Sequence, residues 1–540
     1  MKKLNLILVA VVTMFFLIHG FLLADTPVLK FTGAGPNSYM GISTKNAGDV
    51  NNDGFDDIII GSSYNPAYNN PLGDAFIYFG GSAMDTIPDV IFHSQTINDN
   101  FGFCADGAGD VNGDGFDDVI IGAGNYVSGS GYGRAYIFFG GASMDNVPDV
   151  TIQGAPGDGY IAYFVSNAGD VNGDGFSDVM VNGSHEGYGR VFLYFGGASM
   201  DNIPDVTFES ELATDGFPNG RLSKTGDVNN DGFDDVLIGA SNYPCYSCPA
   251  RGKVYLYYGG PSMDNVADLT MMGENTGQNY FGAAKEGGDV NGDGFVDLIV
   301  SDPNWGIWGT GNCGRIYVFY GGAGMDTIPD KIIRGQFDDD NFGCNVSSSD
   351  INNDGFDDII VGASKFQYPL PKGKVYVYLG GTNMDTTADI THVGESDSSE
   401  YGEQVAAADV DGDGYKEYLV GASRYNGTVG RSYLYHLPDI LKVTPSKNAI
   451  NVTKSADIQV SFSKEMNAST ISTSNIKVFG LQTGLKSTSV SYNAGTRTAT
   501  INPSSDFKVG EKIQVTLSSG IETSTGTPIT PFTWTFTVQA

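Results

Sequence analysis

The 540-residue chain is poor in positive charge: 29 lysines and arginines stand against 63 aspartates and glutamates, a net charge of -34. Such an acidic chain is a poor partner for nucleic acid or an anionic membrane surface. Cysteine is scarce and odd in number, five in all. Cys104 and Cys344 each stand six residues before an acidic segment and read as buried thiols. Cys245, Cys248 and Cys313 lie in more polar stretches. A Cys245–Cys248 disulfide, or one from either to Cys313, is compatible with an oxidising compartment. No second Cys-x-x-Cys and no nearby histidine completes a zinc or redox site there. His-Glu-x-x-His, a serine-nucleophile motif and a catalytic dyad are all missing from the sequence, so an enzyme is not expected. After the first 25 residues, no apolar run is long enough to span a bilayer.

The start, MKKLNLILVAVVTMFFLIHGFLLAD, has a basic tip and an apolar run. It reads as a secretory signal over residues 1–24 with cleavage near Ala24. A retained N-terminal anchor is the alternative, because Leu22 is a poor small-residue match. No lipid-attachment cysteine follows. Extracellular placement, secreted or on the cell surface, is the expectation, with no transmembrane segment in the mature chain.

What the chain has in excess is glycine, 75 residues without a three-residue period, together with 29 tyrosines and 32 phenylalanines. That suits many short strands joined by tight turns. Seven near-copies of one acidic segment recur: DVNNDGFDD at 49, DVNGDGFDD at 110, DVNGDGFSD at 170, DVNNDGFDD at 227, DVNGDGFVD at 289, DINNDGFDD at 350 and DVDGDGYKE at 409. Their intervals are 61, 60, 57, 62, 61 and 59 residues. A period this regular means stacked or radial units. Each unit offers four short strands: one before the loop, one after it, one at segments such as RVFLYFGG, and one at segments such as DVTFE. Four antiparallel strands per unit predict a propeller blade, and seven units a closed ring.

The seventh unit has no fourth strand, and the spare segment PVLKFTG at 27–33 is expected to supply it. An open solenoid leaves that incomplete unit unexplained. Between the third and fourth strands a Met-Asp pair recurs from Met84–Asp85 to Met384–Asp385. The methionine is expected to pack and the aspartate to cap the turn. From about Pro438 serine, threonine and alternating strands take over, predicting a separate β-sandwich over 438–540, with YNAGTR as a hairpin turn.

Within the first loop, Asp49, Asn51 and Asp53 occupy positions 1, 3 and 5, Gly54 permits a sharp turn, Phe55 offers its carbonyl at position 7, and Asp57 stands at position 9. Alternate oxygens around a glycine turn suit calcium, with magnesium the less fitting choice. The same positions hold Asp110, Asn112, Asp114, Phe116 and Asp118, then Asp170, Asn172, Asp174, Phe176 and Asp178. They continue with Asp227, Asn229, Asp231, Phe233 and Asp235, then Asp289, Asn291, Asp293, Phe295 and Asp297. The last two sets are Asp350, Asn352, Asp354, Phe356 and Asp358, and Asp409, Asp411, Asp413, Tyr415 and Glu417. Position 9 is always acidic, whereas position 8 varies from aspartate to serine, valine and lysine. Position 9 therefore reads as a ligand and position 8 as a residue facing out. Position 12 is apolar, which excludes an EF-hand. Seven equivalent copies argue for structural ions, about seven Ca2+, rather than for one active site.

These loops, the Phe-Gly pairs at Phe101–Gly102, Phe281–Gly282 and Phe342–Gly343, and the Gly-Ala after the second strand resemble the FG-GAP repeats of the integrin alpha-subunit propeller. The resemblance covers residues 27–437. It implies an all-β, seven-bladed calcium-binding propeller with ligands at positions 1, 3, 5 and 9 and the position 7 carbonyl. Two departures stand out: all seven units carry the loop, and Tyr39–Met40–Gly41, Tyr160–Ile161–Ala162 and Phe217–Pro218–Asn219–Gly220 replace the Phe-Gly pair. The segment SFSKEMN resembles bacterial Ig-like domains of the SbsA type, implying a bacterial surface or periplasmic protein. No Arg-Gly-Asp motif supports carrying over integrin ligand binding.

Function is expected on the face away from the loops. The connections between second and third strands vary in length and carry Tyr64, Tyr68, Tyr126, Tyr132, Tyr188, Tyr243, Tyr246, Trp305, Trp308, Tyr368 and Tyr425. Rigid aromatics among Asn, Ser and Gly suit an extracellular protein or polysaccharide ligand. The alternatives are a structural envelope or matrix component, or, with less support, a polysaccharide- or ester-active enzyme for which His185–Glu186 is the one histidine–acid pair in these connections.

Overall fold

The computed structural model describes residues 27–540 apart from 64–72, 95, 97–98, 125–132, 155–157, 160, 214, 219–221, 245–249, 275–279, 307–312 and 367–371. The signal segment and the Cys245–Cys248 pair lie outside the described residues. Contacts divide the chain into two compact units, Thr26–His436 and one holding Leu437–Ala540. Among the described residues no helix is long and apolar enough to cross a membrane.

Seven antiparallel sheets make up the first unit. The first runs Ser43–Gly48, Asp57–Ser62, Asp74–Tyr78 and Val90–His93, and the second Phe101–Gly109, Asp118–Ala123, Arg134–Phe138 and Val150–Gln153. The third holds Val165–Gly169, Asp178–His185, Tyr188–Tyr194 and Val206–Glu209, with the short Asp158–Gly159 on its edge. Among the described residues the fourth has three strands, Val236–Ala240, Lys253–Tyr257 and Leu269–Met272. Where Phe217–Pro218–Asn219–Gly220 replaces the Phe-Gly pair, its first strand shrinks to the bridge Gly226–Asp235. Lys285–Gly288, Asp297–Asp302, Arg315–Phe319 and Lys331–Arg334 form the fifth, and Phe342–Ser349, Asp358–Ala363, Lys374–Tyr378 and Ile390–Val393 the sixth. The seventh pairs Gln404–Ala408, Glu417–Ala422 and Arg431–Tyr435 with Leu29–Thr32. The spare N-terminal strand thus lies where the sequence predicts, with Phe31 opposite Ser432.

Second strands such as Asp57–Ser62 are buried at every residue, because each sheet is covered on both faces by a neighbour. That is why they read as continuous apolar runs rather than alternating ones. Each fourth strand lies at a sheet edge, and those of the first three sheets alternate, as in Val90–His93. Core clusters are shared between consecutive sheets: Ile59 and Ile77 pack with Val119 and Ile121, and Leu237 and Leu256 with Leu298 and Tyr317. The seventh and first sheets share another, in which Phe31, Leu419 and Leu434 meet Ile58 and Ile60. Backbones approach closely at the glycine near the end of the second strand, in Gly61–Ser62 as in Gly421–Ala422. A Cβ on Gly61 would stand 2.0 Å from the Gly102 carbonyl, and one on Gly421 2.4 Å from that of Gly41. Only glycine fits there, which explains why these short motifs recur.

The second unit pairs two four-stranded sheets. One joins Ile440–Thr444, Ile458–Phe462, Thr498–Pro503 and Thr488–Asn493; the other joins Gly484–Leu485, Ile476–Gly480, Lys512–Leu517 and Phe532–Thr537. Trp534 is buried between them and donates its indole N–H to the Pro445 carbonyl at 3.0 Å. Asn493 caps the turn Ala494–Thr496 at the predicted hairpin.

Candidate metal centres

Each acidic loop folds around its own carboxylates. In the first, Asp49 Oδ1 accepts the Asp53 amide at 2.9 Å and Asp49 Oδ2 accepts that of Gly54 at 2.8 Å. Asn51 Oδ1 accepts the Asp53 amide at 2.9 Å, and Asp53 Oδ1 that of Phe55 at 3.1 Å. The bond from the position 6 glycine to the position 1 carboxylate recurs in all seven loops, from Gly115 to Asp110, Gly175 to Asp170, Gly232 to Asp227, Gly294 to Asp289, Gly355 to Asp350 and Gly414 to Asp409. Position 4 adopts a left-handed backbone, φ 55° at Asn52 and 76° at Gly113, which accounts for its restriction to Asn and Gly.

The position 9 carboxylate enters each site from the second strand and is fully buried at Asp57, Asp118, Asp178, Asp297 and Asp358. Asp57 Oδ2 accepts the Val50 amide at 3.0 Å and Oδ1 the Gly80 amide at 2.7 Å, tying loop to turn. Burial pushes Asp57 up to about 7, and the charges of Asp53 and Asp49 add to that. Asp118, Asp178, Asp235 and Asp297 behave alike, and Asp358 is held well above the ordinary range. A buried carboxylate beside two others is a donor set that a cation relieves. All-oxygen donors around a tight turn fit a hard divalent ion. In the seventh loop, Asp409, Asp411 and Asp413 bring donor atoms within 4.8 Å of one another, and Asp411, Glu417 and His436 do the same.

Position 8 does not face out. Asp117 Oδ2 accepts the amide of Asp49, the first residue of the preceding loop, at 2.9 Å. Asp234 does so for Asp170 at 3.0 Å, Asp357 for Asp289 at 2.8 Å, and Asp56 for Asp409 at 2.9 Å. Lys416 instead reaches Ser349 Oγ at 2.7 Å. Position 8 thus serves a contact between loops and not the loop's own centre. The position 7 ring also reaches back. Phe176 packs over Gly113 and Phe233 over Gly173, where a Cβ would stand 2.4 and 2.3 Å from the ring. Replacing Asp117 by Ala should cost about 1 to 2 kcal/mol in denaturant unfolding, since it strands a half-buried amide. Asp117→Asn keeps an acceptor oxygen and should lose less. Equal losses would mean that the amide cap contributes nothing.

The Met-Asp turns behave as expected. Asp85 Oδ1 accepts the Ile87 amide at 2.6 Å and Asp145 Oδ1 the Val147 amide at 2.8 Å, while Met84 and Met144 pack against the cores. These turns clasp the preceding loop, the Gly141 amide donating to the Val50 carbonyl and that of Gly81 to the Val410 carbonyl. They also expose Ile87, Val147, Ile203, Val266 and Ile328, each at least 64% exposed.

Of the aromatics expected at the opposite sheet ends, four lie among the described residues, and Trp305 departs from the expected display. Tyr64, Tyr68, Tyr126, Tyr132, Tyr246, Trp308 and Tyr368 lie outside the described residues. Tyr188 is exposed, but Trp305 is only 5% exposed, with the Arg315 guanidinium 3.1 Å above its ring. Lys253 over Tyr243 and Tyr255, and Arg431 over Tyr425 and Tyr433, repeat the arrangement. Arg315 also meets Glu274 at 2.8 Å. The signal was in the sequence: a Gly-Lys or Gly-Arg pair opens these third strands. Such a cation stacks on an aromatic from the preceding connection. Trp305→Ala should therefore destabilise the fold by about 3 kcal/mol on thermal or denaturant melting. A stability unchanged within 0.5 kcal/mol (on the order of an exposed substitution) would return Trp305 to the surface. His185 pairs with Asp158 at 2.9 Å rather than acting with Glu186. Among the described residues Cys313 is a free thiol, and its expected partners Cys245 and Cys248 lie outside them.

Residues 105–138, 222–257 and 281–319 match the FG-GAP repeat family, residues 350–420 the FG-GAP-like repeat family, and residues 436–538 the bacterial Ig-like domain family. Integrin alpha-8 of Mus musculus is 28% identical over 41% of this chain and 20% of its own length. Integrin alpha-PS3 of Drosophila melanogaster is 32% identical over 32% of this chain and 15% of its own. Phosphatidylinositol-glycan-specific phospholipase D of Homo sapiens is 30% identical over 41% of this chain and 29% of its own. The chain thus spans less than a third of each of these relatives. Among solved structures, the copper resistance protein PcoC of Escherichia coli aligns with 19% of this chain and all of its own at 18% identity, with a TM-score of 0.17, which carries no conclusion. Seven recurrent acidic loops, antiparallel sheets of like order and these matches make the chain an FG-GAP repeat protein with a C-terminal bacterial Ig-like domain.

Proposed function

We propose that residues 27–437 form a closed seven-bladed propeller whose acidic loops hold about seven structural calcium ions, and that the face opposite the loops recognises an extracellular protein or glycan. Ring closure is supported by contacts between the seventh and first sheets that repeat those between consecutive sheets: Asp56 on Asp409, Gly81 on Val410 and Gly421 against Gly41. Calcium is supported by the oxygen-only donors at positions 1, 3, 5 and 9 in the first six loops and by the buried position 9 acids. The position 7 carbonyl completes the proposed set. Residues 1–24 are proposed as a secretory signal and 438–540 as a sandwich, giving a secreted or surface-exposed bacterial protein that is not an enzyme. The human relative named as a phospholipase aligns over only 29% of its length, so its activity is not carried over.

One observation carries the recognition reading. The loop ends are nearly identical from sheet to sheet and are consumed by mutual hydrogen bonds. The opposite ends differ in length and composition around a constant frame. Variation on a rigid scaffold is where binding specificity is built. A screen of glycans and matrix proteins against calcium-loaded chain tests it. Saturable binding that weakens with Tyr188→Ala, while Ile203→Ser leaves it intact, supports the reading. Absence of binding across the screen sinks it. The five exposed apolar residues of the Met-Asp turns favour a second reading, a structural envelope or matrix component that associates through the loop side.

A further inference from the structure

Besides Tyr415 at position 7, where the others have phenylalanine, the seventh loop departs from the other six in three residues that carry metal-binding groups. Position 3 is Asp411 where the others have asparagine, position 9 is Glu417 where they have aspartate, and His436 follows the third strand where they have Phe79, Phe139, Phe195, Tyr258, Tyr320 and Leu379. The fold brings these three together. His436 Nδ1 lies 2.7 Å from Glu417 Oε1, and donor atoms of Asp411, Glu417 and His436 all lie within 4.8 Å of one another.

The hydrogen bonding changes with them. In the first six loops the inner position 9 oxygen accepts a glycine amide, as Asp57 does from Gly80 at 2.7 Å and Asp358 from Gly380 at 2.7 Å. Here Leu437 stands in the glycine's place and Glu417 Oε1 faces the imidazole. In the first six, the position 1 Oδ1 accepts the position 5 amide, as Asp350 does from Asp354 at 3.0 Å. Asp409 Oδ1, by contrast, is shut off from solvent with no hydrogen-bond partner among the described residues.

We infer that the seventh loop is a distinct metal centre, with Asp411, Glu417 and His436 as a mixed carboxylate–imidazole set that selects a borderline divalent ion of the zinc class over calcium. The inference rests on the reading of these loops as metal sites and, in the seventh alone, replaces the calcium proposed above, leaving six loops for that ion. Calcium takes hard oxygen donors, whereas an imidazole nitrogen suits zinc, cobalt and nickel. The added carboxylate of Asp411 raises the negative charge at the same place. Nδ1 and Glu417 Oε1 stand 2.7 Å apart, so one ion between them would take an imidazole nitrogen and a carboxylate oxygen together.

The test uses the full chain, stripped with chelator and then saturated with calcium. Cobalt(II) is added as the probe and zinc(II) as its competitor. One equivalent of cobalt should bind with visible ligand-field bands and a strongly shifted imidazole N–H proton resonance, and zinc should displace it. His436→Phe, which installs the residue of the first three sheets, should weaken that site by about ten- to a hundredfold, with calcium bound elsewhere unchanged. His436→Gln serves if the first variant does not fold. A calcium-saturated wild type that takes up no cobalt overturns the inference, as does cobalt binding without an imidazole signal. Failure of calcium to bind the other six loops, with cobalt still binding here, would sink the calcium reading and leave this one standing.

Discussion

Stripping divalent ions from the chain should lower the melting temperature of residues 27–437 by about 20 °C and leave the transition of residues 438–540 in place. An ion present at a hundred times its dissociation constant stabilises by about 2.7 kcal/mol per site, so seven sites supply about 19 kcal/mol. A unit of this length unfolds with an entropy of about 0.9 kcal/mol/K, which converts that figure to the stated shift. The loss is concentrated where sheets meet. Asp57 ties its loop to the Gly80 turn, and Asp117 ties the second loop to the first. Without an ion, the charges of Asp53 and Asp49 oppose ionisation of the buried Asp57. Scanning calorimetry with and without chelator reads both transitions at once. A transition of residues 27–437 that stays within 2 °C (about the shift of a single weak site) would remove the proposed structural role of the ions. The sandwich is the internal control, because none of the seven acidic loops lies within it.

The second large effect belongs to the N-terminal strand. Phe31 is 1% exposed and packs its ring 4.5 Å from that of Tyr78, in the cluster shared by the seventh and first sheets. Phe31→Ala should cost about 4 kcal/mol, the range for truncating a buried aromatic. The strand that carries it is paired with Arg431–Tyr435, some 400 residues later in the chain, and has few other ties. Its loss should therefore appear as faster hydrogen exchange at Ser432 and Leu434, as well as in global stability. Val28→Ala, at a residue 46% exposed, should change stability by less than about 0.5 kcal/mol. If the two substitutions cost the same, the strand does not hold the last sheet to the first.

Much of this was readable from the chain alone. Regular spacing of the acidic loops determined the number of units, and the missing fourth strand of the last unit pointed to residues 27–33 as its replacement. The Met-Asp caps and the Asn493 hairpin were legible for the same reason: their partners lie within a few residues, where local pattern reports directly on structure.

Tertiary structure decided the contacts whose partners are distant in the chain. Position 8 read as facing out because its partner, the Asp49 amide for Asp117, lies 68 residues away in another loop. Trp305 looked like a surface aromatic until Arg315 was brought over it from the third strand. His436 had no visible company until the sheet set it beside Glu417, 19 residues back. Repetition along the sequence determined what each unit is. Packing between units decided which of its residues are free, because a side chain that varies from copy to copy can be either exposed or matched to a neighbour that varies with it.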